Sequence, residues 1–60
     1  MTDLEKVFNN IAINELKMCV QNADTEIAHS RADDALIKLL RSLGYDEVCD
    51  EWENVDKWYA

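Results

Sequence analysis

The only histidine of the chain, His29, stands in the stretch EIAHSRADDAL at positions 26–36. Glu26 precedes it by three residues and Asp33 follows it by four. On a helix this spacing puts the three side chains on one face. Three readings compete for such a trio. Glu-x-x-His on a helix is the repeated half-motif of carboxylate-bridged di-iron bundles, which need two copies of it and two further glutamates. One copy is present, so a metal site on Glu26, His29 and Asp33 would need a second subunit, with Glu15, Glu47 or Glu51 as extra ligands. General acid–base catalysis by His29, oriented by Asp33, is the second. No nucleophile or oxyanion donor accompanies the pair, Ser30 points about 100° away on a helix, and no Gly-rich phosphate loop is present, so enzymatic activity is not expected. The third is a charged helix surface, with Glu26 at the positive helix start and His29 paired to Asp33 across one turn. A structural metal site needs about four converging ligands. The expectation is therefore the charged surface, without metal or cofactor, with a dimeric metal-binding bundle as the alternative.

A second group of functional candidates lies in the C-terminal part. Residues 44–60 carry Asp46, Glu47, Asp50, Glu51, Glu53 and Asp56 against Lys57 alone, five of the seven net negative charges. Such a face either keeps a small protein in solution or docks on a basic partner. Nucleic-acid mimicry is the extreme form of docking. Five net charges along roughly 24 Å of helix give about one per 5 Å, whereas duplex DNA carries one per ~1.7 Å. One helix is about threefold too sparse, so two copies would be needed. Trp58 lies off the apolar stripe of its helix and is a candidate interface anchor. The candidate partner-binding set is thus Asp46, Glu47, Asp50, Glu51, Glu53 and Trp58.

Three helices must position these groups. Thr2 and Glu5 have the Thr-x-x-Glu capping-box spacing, which starts a helix over about 2–21. Leu4, Val7, Phe8 and Ile11 follow at helical spacing; Ile13, Leu16, Met18, Cys19 and Val20 then spread over more than one face, and Asn9, Asn10 and Asn14 are mediocre helix formers, so the segment is either one helix with an irregular middle or two short pieces. A helix apolar on two sides needs two neighbours, which suits a subunit interface. Asp24 or Thr25 caps a second helix over about 25–43. Its stripe is Ala28, Ala32, Ala35, Leu36, Leu39, Leu40 and Leu43, and Gly44 is its stop. The third helix spans about 45–58, with Tyr45, Val48, Trp52, Val55 and Tyr59 as its stripe and Cys49 on the flank. In this layout His29 has a further possible place, buried between the first and third helices. The fold class expected is all-α, a small three-helix bundle in one domain.

Length and composition narrow the rest. A 60-residue chain buries only about 60% of its unfolded surface, so self-association, most simply a homodimer, is expected. Cys19 and Cys49 stand among apolar residues at no metal-like spacing, which favours two buried reduced thiols in a cytoplasmic protein. A net charge of −7 opposes direct binding to nucleic acid or to anionic membrane. No apolar run is long enough to span a bilayer.

The segments AHSRAD, LLRSLGY and VDKWYA lie between residues 28 and 60. Together they resemble the C-terminal portion of short, poorly characterised proteins encoded by bacteriophages and prophages. The resemblance covers a little over half the chain and omits the first helix. It implies a phage-type origin and a compact helical fold. The function expected is that of a small phage-type accessory protein, which binds a basic host or phage protein and does no chemistry of its own.

Overall fold

A computed structural model describes residues 1–56 of the chain. It contains three helices: α1 over Asp3–Val20, α2 over Thr25–Ser42 and α3 over Asp46–Glu53. The all-α fold expected from the sequence is present.

The helix ends are built by local hydrogen bonds. Thr2 Oγ1 accepts from the Glu5 N–H at 3.1 Å, and Glu5 Oε1 accepts from the Thr2 N–H at 2.8 Å, so the capping box is complete. These bonds, the backbone one first, hold the Glu5 carboxyl below its ordinary range. Thr2→Ala should lower stability by about 1 kcal/mol, read as a lower melting temperature by circular dichroism. Asn22 Oδ1 accepts from the Asp24 N–H at 2.9 Å, and Asp24 Oδ1 from the Ile27 N–H at 3.1 Å. The four-residue connection, Gln21 to Asp24, thus turns the chain and caps α2.

At the other end of α2, the Gly44 N–H donates to the Arg41 carbonyl and the Tyr45 N–H to the Leu40 carbonyl, each at 3.0 Å. This is a Schellman stop, and Gly44 has the positive φ of 89° that it requires. A Cβ at Gly44 would meet nothing within 4 Å, so strain alone decides a substitution. Gly44→Ala should cost about 1–2 kcal/mol, measured as a shift in a urea unfolding midpoint.

The helices lie side by side. α1 packs on one flank of α2 and α3 on the other, while α1 and α3 do not meet. The Cα atoms span 36 × 28 × 9 Å, about one helix layer thick. In a row of three, only the middle helix has two neighbours. Among the described residues the buried side chains are accordingly few and small: Ala12 on α1, Ala35 on α2 and Cys49 on α3. Small residues at the contacts let helix axes approach to roughly 8 Å.

This arrangement corrects three sequence expectations. On α1, the face turned to α2 is made by Phe8, Ala12, Leu16 and Cys19; Leu4, Val7 and Ile11, expected to pack, are exposed. On α2, Leu36 is 46% exposed, because the stripe assigned to it spans more of the circumference than α1 and α3 cover. On α3, the buried residue is Cys49, while Tyr45, Val48 and Val55 are exposed. The contact face of α3 is rotated toward the small residue because a short helix with one neighbour packs through a narrow strip.

α3 also ends at Glu53, five residues before the expected position. Asp50, Glu51 and Glu53 crowd its C-terminal turn, where the dipole disfavours negative charge and no basic residue offsets it. Asn54, a poor helix former, takes the cap. Tyr59, assigned to this helix stripe, lies outside the described residues.

Candidate protein-binding surface

α3 presents its carboxylates through helical spacing. Asp46, Glu47, Asp50, Glu51 and Glu53 are all exposed. Two of them are engaged by α2. Arg41 donates from Nη1 to Asp46 Oδ1 at 3.3 Å and from Nη2 to Asp50 Oδ1 at 3.0 Å. The Asp50 hydrogen bond, followed by that of Asp46, raises the Arg41 guanidinium pKa against the opposing effect of desolvation. The forked guanidinium spans residues one turn apart, a geometry that lysine lacks. Arg41 therefore does more than balance the α2 dipole. It ties α3 to α2 across the Gly44 stop. The trace in the sequence is a cation followed five and nine residues later by aspartates, a signal that becomes specific only once the turn between the helices is known.

Glu47, Glu51 and Glu53 have no cation within ion-pair range among the described residues. They form the unengaged part of the acidic edge. Eight residues give about 12 Å of helix, and at ~3.4 Å per base pair the edge is as long as three to four base pairs. It is dense but short. Trp58 and Lys57 lie outside the described residues.

The trio of α2 is placed differently. His29 Nε2 stands 3.8 Å from Asp33 Oδ1, with the His29 side chain 61% exposed. This is an ion-pair distance across one helical turn. It places His29 on the surface and corrects its expected alternative position between α1 and α3. Glu26 is exposed in the first turn of α2. Among the described residues, no three histidine, cysteine or acidic side chains are grouped so as to hold a metal ion. Glu26, His29 and Asp33 share a helix face of α2.

Cys19 and Cys49 are both free thiols. Cys19 is half-buried, short of the full burial expected. Cys49 is fully buried, and its Sγ donates to the Ile37 carbonyl at 3.8 Å. They sit on the two helices that do not meet.

Between α1 and α2 runs an open groove of about 350 Å³. Phe8, Ile11, Ala12, Ala35 and Leu39 give it apolar walls; Glu15, Arg31, Asp34 and Lys38 add two acids and two bases. The signal for it was present in the sequence as the small residues Ala12 and Ala35, whose absent side chains leave the space open. No helix among the described residues is long and apolar enough to cross a membrane. Comparison with protein-family models, with curated proteins and with solved structures gives no match to this chain.

Proposed function

We propose that the chain is a small phage-type accessory protein of the host cytoplasm that works by binding a basic host or phage protein through the acidic edge of α3. The observation that carries this reading is the exposure of five carboxylates on one eight-residue helix, with Arg41 the one cation that engages them among the described residues. Arg41 fixes the direction of that edge by holding Asp46 and Asp50, while Glu47, Glu51 and Glu53 are exposed and, among the described residues, engaged by no cation. A fixed array of one sign steers an oppositely charged partner and sets its orientation. The edge is too short to stand for a long duplex, which favours a protein partner with a compact basic patch over broad nucleic-acid mimicry.

The test is charge reversal at the unengaged carboxylates. Glu47→Lys/Glu51→Lys leaves the Arg41 clamp and the buried Cys49 untouched. Immobilised wild-type protein should retain a basic partner from host lysate at low salt. The double variant should lose at least tenfold of that capture, and wild type should lose it at about 1 M salt, where the Debye length is ~3 Å. Capture unchanged by charge reversal would remove the proposal. Competition by duplex DNA for the captured partner would show that it uses a nucleic-acid-binding surface.

A further inference from the structure

α1 carries an apolar stripe that the fold leaves uncovered. Leu4, Val7, Ile11 and Met18 are 62%, 50%, 55% and 66% exposed. At 100° per residue they lie about 100° around the helix from the face that packs on α2. Their spacing, with Asn14 in the intervening place, is the 3-4-3-4 alternation of a coiled-coil seam. Ile11 also lines the groove between α1 and α2, so stripe and groove form one continuous surface.

We propose that the occupant of this seam is α1 of a second copy, packed antiparallel about a two-fold axis near Ile11. The two ends of the stripe, Leu4 and Met18, lie seven positions before and after that residue. Antiparallel overlay sets Leu4 of one copy beside Met18 of the other and Ile11 beside itself, as a self-complementary interface requires. Charge selects the same direction. Asp3 and Glu5 occupy the first turn of α1 and Lys17 the last, so the antiparallel pair brings acids onto lysine at both ends, while a parallel pair would stack like on like. α1 holds three acids and two lysines, which makes it a place where a chain of net charge −7 meets its copy with little repulsion. The adjoining groove, with two acids and two bases, is similarly balanced.

α2 separates the seam from α3, so dimerisation leaves both acidic edges open.

Sedimentation equilibrium of the full chain tests this. Wild type should reach twice the 7.0 kDa chain mass as concentration rises. Ile11→Glu should weaken association at least about 30-fold. Ile13→Glu, on the same helix but outside the stripe, should leave it unchanged. Because a dissociated variant can lose its fold, disulfide trapping reads the interface independently. A mixture of Leu4→Cys and Met18→Cys chains should give chiefly the mixed disulfide under mild oxidation. Predominance of the Leu4→Cys self-disulfide would overturn the antiparallel arrangement. A fully helical wild type that stays at the chain mass throughout would overturn the dimer, as would dissociation by Leu36→Glu combined with indifference to Ile11→Glu. None of these readouts depends on the acidic edge, so its failure and the failure of the seam are separable.

Discussion

Replacing Cys49 by aspartate is expected to release α3 from α2. Cys49 is, among the described residues, the one side chain with no exposed surface, and the α2–α3 contact is built over it. A carboxylate there is either charged without a partner or protonated with poor hydrogen bonding. An uncompensated buried charge costs about 3–5 kcal/mol. The remaining ties are the Arg41 pairs with Asp46 and Asp50, whose carboxylates are largely exposed, and exposed pairs contribute at most about 1 kcal/mol each. An isolated helix of eight residues does not persist in water, because nucleation is unfavourable below about 12–15 residues. The expected result is loss of about eight residues of helical signal in circular dichroism while α1 and α2 remain paired. Native thiol alkylation checks the same contact in wild type. Cys19, half-buried, should react before Cys49, which becomes accessible only when α3 opens. Retention of full helicity and a sharp melt in the Cys49→Asp protein would show that α3 is held by something other than this contact.

Leu39→Ala should destabilise the chain by about 2–3 kcal/mol, the lower part of the range for leucine truncation, while Leu36→Ala should cost less than about 1 kcal/mol. The two leucines belong to one apolar stripe of α2. Leu39 is half-buried and lines the groove against α1. Leu36 is 46% exposed and lies on neither flank of α2. For a chain of this length the larger loss is a large part of the total stability. Urea unfolding followed by circular dichroism measures both. Equal losses would mean that the exposed side of α2 is covered in solution, which the oligomer mass of the Leu36 variant would then resolve.

The elements themselves were legible in the sequence because their causes are local. Thr2 and Glu5 close a capping box, Asp24 caps α2, and Gly44 stops it, each through residues within a few positions of one another. The acids of α3 were equally visible as a count. The sequence also contained the reason α3 ends early, in the carboxylates crowding its last turn, but a hydrophobic stripe reaching to Tyr59 outweighed that signal in the reading of periodicity.

Only the tertiary structure decided which face of each helix is covered. Periodicity reports how many apolar residues a helix has and roughly where they point; it does not report how many neighbours the helix will meet. In a row of three, α1 and α3 meet one neighbour each within the chain, so Ala12 and Cys49 are buried while the fold leaves Leu4, Ile11 and Val48 uncovered. The same holds for the charged groups. The spacing of His29 and Asp33 already contained their pairing across a turn, because it lies within one helix. The Arg41 clamp on Asp46 and Asp50 depends on the angle at which α3 returns along α2, which is set by the Gly44 turn and by packing over Cys49, and no local pattern contains that angle.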